Sequence, residues 1–120
     1  MKRILIIDDN ESNLEVLGLV FREVGFDTML MHGPEDIGKV LTGYSPHLVL
    51  LDVLMGNANG ADICRQIKGS PKFSGVKVLL MTASNAFNTL DIEGTLADAH
   101  IPKPFDIEQI TSMADRLLEE

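Results

Sequence analysis

Short apolar runs rich in β-branched residues alternate along the chain with longer stretches whose apolar positions recur at three- and four-residue steps. A strand repeats every two residues and a helix about every 3.6, so this alternation marks an α/β protein. The first run is Ile4 to Ile7, and Leu14, Leu17, Phe21 and Val24 then lay one stripe along a helix from Asn10 to Gly25, where glycine supplies the stop. Asp27 to Met31 reads as a second strand. Pro34 suits the first turn of a short helix carrying Ile37, Val40 and Leu41. Leu48 to Leu51 is continuously apolar, as a central parallel strand covered on both faces should be. After a loop rich in glycine and asparagine, Ile63, Cys64 and Ile67 predict a helix between Gly60 and Lys68, and Val76 to Met81 predicts the fourth strand. The stripe weakens from Asn85 to Leu96, where Phe87 and Leu90 predict a short helix interrupted by Gly94. A brief strand, Ala99 to Ile101, precedes a last helix from Asp106 to Leu118, with Ile107, Ile110, Ala114 and Leu117 facing inward.

Five strands alternating with five helices predict one doubly wound parallel sheet spanning residues 1–120 as a single domain. The length supports one hydrophobic core, and an apolar fraction of 45% with 23% charged residues gives no reason to invoke disorder. A formal charge of −8 opposes binding to nucleic acid through its phosphates and favours a cation or a basic partner. The single cysteine, Cys64, cannot close an internal disulfide, and the opening MKRILIIDDN meets carboxylates too soon for a secretory signal; a reducing cytoplasm is the expected setting. No apolar run has the length to cross a bilayer, so no membrane association is expected.

In a doubly wound sheet, ligands bind beyond the carboxyl ends of the strands. Asp8 and Asp9 close the first strand, Asp52 the third and Thr82 the fourth, while Lys103 follows the fifth. Each alone has an ordinary explanation as a helix cap, a turn residue or a self-satisfied hydroxyl. Together they put five polar residues from four strand ends on one crevice. Three carboxylates there repel one another, and a divalent cation resolves the repulsion. Magnesium suits the set, because it is a hard ion that prefers oxygen and keeps waters that a phosphate can replace. With the metal and Lys103 on the phosphoryl oxygens and Thr82 donating to them, Asp52 can attack in line and form an aspartyl phosphate.

At these residues the chain resembles CheY-like receiver domains, the phosphoaccepting half of response regulators. The resemblance runs through ILIIDDN, LVLLDVLM, Gly60 eight residues beyond the acceptor, VLLMTA and KPF. It implies a flavodoxin-like sheet in the order 2-1-3-4-5. It further implies that Asp9 and Asp52 ligate magnesium directly, that Asp8 acts through water, and that the Leu54 backbone carbonyl completes the protein ligands. Asp52 is then the phosphoacceptor, Thr82 and Lys103 contact the phosphoryl group, small Ala83 leaves it room, and the peptide before Pro104 is cis. The chain departs from the family pattern at Gly56, where proline is usual, and at His100, where the family's aromatic switch residue stands. Leu96 replaces the glycine before the fifth strand, and Pro102 precedes the lysine. An imidazole at position 100 can turn inward beside Thr82 as an aromatic ring does, and it also titrates near neutral pH.

The remaining candidates read as structure. His32 and His47 have no metal-binding partner at strand or helix spacing, Cys64 is a small core residue, and Asn10 and Asn13 start the first helix. A dehalogenase-type phosphohydrolase needs a second aspartate two residues after its nucleophile, and that position holds Leu54. The resemblance therefore implies a switch that catalyses only its own phosphorylation and dephosphorylation. Its partners are a sensor histidine kinase or histidine phosphotransfer protein and a downstream effector. A monomer is expected, with a phosphorylation-dependent dimer as the alternative state. The competing reading is a degenerate receiver that binds partners without phosphorylation.

Overall fold

The computed structural model describes residues 1–83 and 93–119. Its elements run β1 (Arg3–Ile7), α1 (Glu11–Glu23), β2 (Asp27–Met31), α2 (Ile37–Tyr44), β3 (Leu48–Asp52), a small hairpin of β4 (Leu54–Met55) and β5 (Ala58–Asn59), α3 (Gly60–Gly69), β6 (Lys77–Ala83), β7 (Ala99–Lys103) and α4 (Ile107–Glu119). Five strands form one sheet in the order β2-β1-β3-β6-β7, and every pairing in it is parallel, which is the expected 2-1-3-4-5 arrangement.

The sheet separates two apolar layers, and strand alternation assigns residues to them. On one face Ile4, Ile6, Leu48, Leu50, Leu79, Met81 and Ile101 meet Leu14, Leu17 and Phe21 of α1 and Ile110 and Ala114 of α4. On the other, Leu5, Ile7, Val49, Leu51, Val78 and Leu80 meet Leu41 of α2 and Ile63, Cys64 and Ile67 of α3. Burial on both faces is why the runs Ile4–Ile7 of β1, Leu48–Leu51 of β3 and Val78–Met81 of β6 are apolar without interruption. Each fully buried aliphatic side chain contributes about 1.5–3 kcal/mol of transfer free energy. The Phe21 and Phe26 rings meet edge to face at 5.3 Å, fastening the turn after α1 to the layer above.

Four sequence expectations change. Val24 is exposed, because α1 stops at Glu23 and Val24 is its cap; Gly25, at φ +99°, makes the predicted stop. Pro34 precedes α2 instead of starting it, in a turn where its carbonyl accepts from the Ile37 N–H at 3.1 Å. Ile107, the first residue of α4, is exposed, whereas Ile110 and Ala114 are buried as expected. β7 runs on through Pro102 to Lys103, so the lysine closes the strand. Because β7 is a sheet edge, its proline leaves no ladder partner on the outer side wanting. The helix predicted from Asn85 to Leu96 lies mostly outside the described residues. Its described end is a 3₁₀ turn, Glu93–Thr95, followed by Leu96 at φ +64°.

Candidate functional site

The rows that build the first apolar layer change character at the carboxyl edge of the sheet. Two residues beyond Ile6 stands Asp8, two beyond Leu50 stands Asp52, two beyond Met81 stands Ala83, and two beyond Ile101 stands Lys103. Registers Asp52↔Met81 and Ala83↔Lys103 keep these residues side by side, so the period-two alternation that buries the core also gathers the site.

Asp8 is fully buried; its Oδ1 accepts from the Asn10 N–H at 2.9 Å, and its Oδ2 has no hydrogen-bond partner. The Lys103 ammonium lies 3.5 Å from Asp8 Oδ2 and 3.4 Å from Asp52 Oδ2, bridging the two carboxylates. Asp52 Oδ1 accepts a long contact from the Leu54 N–H at 3.4 Å. Burial pushes the Asp52 carboxyl up to about 6; the Lys103 charge works against this shift and the Asp8 charge adds to it. Asp9 is exposed, yet Asp8, Asp9 and Asp52 each offer an oxygen within 4.8 Å of the others. This all-oxygen donor set, in which a buried carboxylate oxygen lacks a hydrogen bond, fits a hard divalent cation.

Local chemistry explains the placement. Asn10 caps α1 by accepting from the Asn13 N–H at 3.0 Å, which turns the chain sharply after Asp8 and Asp9. At the end of β3, a Cβ on Gly60 would overlap the Asp52 carbonyl oxygen, so glycine alone lets α3 start against β3. Gly56, at φ +56°, takes the first position of the two-residue turn between β4 and β5. The Lys103–Pro104 peptide is cis, as the resemblance implied.

Thr82 and His100 belong to the opposite parity. Thr82 continues the row of Val78 and Leu80, and His100 pairs in register with Leu80. The Thr82 hydroxyl is fully buried and has no hydrogen-bond partner among the described residues. His100 is half-buried with its Nε2 3.0 Å from Thr95 Oγ1, and burial pulls its pKa down. Cys64 is buried, and desolvation pushes its thiol up to about 11, an environment for an inert core residue. His47 Nδ1 accepts from the Arg3 N–H at 2.9 Å, a structural contact at the opposite end of the sheet. Sequence reasoning missed one feature: an apolar cavity of about 510 Å³ beside Lys103, whose walls include Val16, Leu17, Phe105 and Ile107. Its signal was Val16, an apolar residue off the buried stripe of α1.

A family model described as the response regulator receiver domain matches residues 4–115. The DNA-binding response regulator MtrA of Mycobacterium leprae (strain TN) is 34% identical over 114 residues, covering 92% of this chain and 48% of that protein. The chain thus spans about half the length of the curated relatives it matches. Among solved structures, the signal receiver domain of a signal transduction histidine kinase from Syntrophus aciditrophicus superposes with a TM-score of 0.90 at 29% identity, covering 99% of this chain and 91% of that one. The response regulator TrrA from Thermotoga maritima, solved with Mg(2+)-BeF, has a TM-score of 0.85 at 26% identity, covering 98% and 99%.

Proposed function

The chain belongs to the response regulator receiver domain family, and from that premise we propose that Asp52 is its phosphoacceptor in a two-component phosphorelay. One observation carries the assignment. Asp52 is a buried carboxylate, raised to about 6, and the Lys103 ammonium bridges it to a second carboxylate, Asp8. A nucleophile must be unprotonated yet close to positive charge, and Lys103 meets both needs by stabilising the Asp52 anion and the phosphoryl oxygens.

Asp9, Asp52 and the Leu54 backbone carbonyl would hold magnesium, with Asp8 acting through a bound water. The ion neutralises phosphoryl charge when bound. Asp8 keeps Lys103 directed at the site, since both oxygens that face the ammonium belong to Asp8 and Asp52. Thr82 donates its unpartnered hydroxyl to a phosphoryl oxygen, and Ala83 leaves space there. His100 is the switch residue in this proposal: its exchange between Thr95 and the space beside Thr82 reports phosphorylation to an effector. The donor is a sensor histidine kinase or a histidine phosphotransfer protein, the setting is cytoplasmic, and the resting state is a monomer able to dimerise on phosphorylation. The chain catalyses only its own phosphorylation and dephosphorylation. No described helix is long and apolar enough to cross a membrane.

An acyl phosphate is cleaved by hydroxylamine to leave a hydroxamate on the acceptor. After phosphorylation, peptide mapping is expected to place that hydroxamate on Asp52; a hydroxamate on another carboxylate, or a phosphoryl group that resists hydroxylamine, overturns the assignment.

A further inference from the structure

The cavity beside Lys103 is continuous with the phosphoacceptor site, because Asp8, Ala83 and Lys103 line it as well. Beyond those residues and Asn13 its walls turn apolar. Val16 and Leu17 come from α1, Phe105 and Ile107 from the segment that enters α4, and Met81 forms part of the floor. Val16 and Ile107 keep 53% and 57% of their surface exposed, an arrangement that leaves both open to an entering group. At about 510 Å³ the space falls within the size range of small-molecule sites, roughly 300–1,000 Å³, and far exceeds what an acetyl group fills.

Resting on Asp52 as the acceptor, the geometry points to a subsite for the leaving half of a small acyl phosphate whose acyl chain is longer than acetyl, with Val16, Leu17 and Ile107 setting that preference. Charge is arranged to match such a donor: the phosphoryl dianion meets Lys103 at one end, and the uncharged tail meets hydrocarbon at the other. In the transfer an Asp52 oxygen bonds to phosphorus as the bond from phosphorus to the bridging anhydride oxygen breaks. The acyl carboxylate leaves with the electron pair, and no proton has to move.

The full chain is assayed with magnesium and either acetyl or butyryl phosphate, following the Asp52 adduct by intact mass. Fully burying one methylene is worth about a fourfold gain in affinity. The two extra methylenes of butyryl phosphate should therefore lower the half-saturating concentration by roughly 4–15-fold, the lower figure reflecting a groove open to solvent. Val16→Asn and Ile107→Ser, both at exposed positions, should collapse that ratio toward one. Equal half-saturation for the two donors, or a ratio that both variants leave intact, overturns the subsite. A second readout separates this outcome from failure of the acceptor assignment. In 2-oxopropylphosphonate and 2-oxopentylphosphonate a methylene replaces the bridging oxygen, so no transfer occurs. The longer analogue should bind more tightly and shift the methyl NMR signals of Val16, Leu17 and Ile107 even in Asp52→Asn. No preference between the analogues refutes the subsite, while a preference without any adduct from either phosphate refutes only Asp52 as acceptor.

Discussion

The two ends of the sheet are built from similar polar residues and finished differently. At the amino ends, polar groups have partners apart from the buried Tyr44 hydroxyl. Arg3 Nε donates to the Tyr44 and Ser45 carbonyls, and its backbone N–H meets His47. Asp98 Oδ2 accepts from Lys68 Nζ at 2.9 Å and from the Val78 N–H at 2.7 Å, while the Asp98 N–H returns a bond to the Val78 carbonyl. At the carboxyl ends, Asp8 Oδ2 and the Thr82 hydroxyl are buried without hydrogen bonds, and the charged contacts to Lys103 stretch to 3.4–3.5 Å. Buried polar groups in native proteins are nearly always satisfied. The amino edge is therefore the better satisfied of the two, and the carboxyl edge keeps a buried donor and acceptor unbonded, as the proposed phosphoacceptor role requires.

Substitutions can break or sharpen that contrast. The largest effect belongs to Gly60→Ala, which forces a methyl into the Asp52 carbonyl and should cost about 3 kcal/mol or more by urea denaturation. Next, Asp52→Asn should stabilise the metal-free protein by roughly 2 kcal/mol near pH 7.5. The sign follows from the raised pKa. Folding favours protonated Asp52, so wild-type stability is full below its ordinary value of 3.8 and is lost as pH rises through about 6. Asparagine, which cannot ionise, escapes that loss. The advantage should vanish below pH 4, and a variant no more stable than wild type at pH 7.5 would contradict the strain assigned to this edge. At the finished edge, Asp98→Ala should cost about 1.5 kcal/mol by stranding the Val78 N–H and leaving Lys68 only its bond to the Val76 carbonyl, yet leave phosphorylation intact. Loss of the adduct in this variant would show that the two ends are not separable. Smallest is Leu96→Gly, which relieves a left-handed leucine and should raise stability by about 0.5–1 kcal/mol, measurable as a higher Tm.

Much of this was legible in the sequence because parallel strands buried on both faces declare themselves as unbroken apolar runs. The carboxylate cluster was legible too, since Asp8, Asp9 and Asp52 follow such runs immediately. Helix ends were less so: Val24 and Ile107 continue the stripes of the first and last helices in sequence, but Val24 is the exposed cap of α1 and Ile107 the exposed first residue of α4. The strand expected to end at Ile101 runs on through Pro102, which the edge position of β7 accommodates. Contacts such as Lys68 with Asp98, 30 residues apart, carry no local pattern. Nor does the apolar groove, whose walls come from two helices, strand ends and a loop that only the fold brings together.

Incubation with acetyl phosphate, followed by the intact masses of the native chain and Asp52→Asn with and without magnesium, tests the central claim most directly. A single phosphoryl adduct that requires magnesium and is absent from the variant is the predicted result. A native chain that binds magnesium yet takes no adduct, or an adduct that survives in Asp52→Asn, would contradict it; the former would recast the molecule as a receiver fold that binds its partners without phosphorylation.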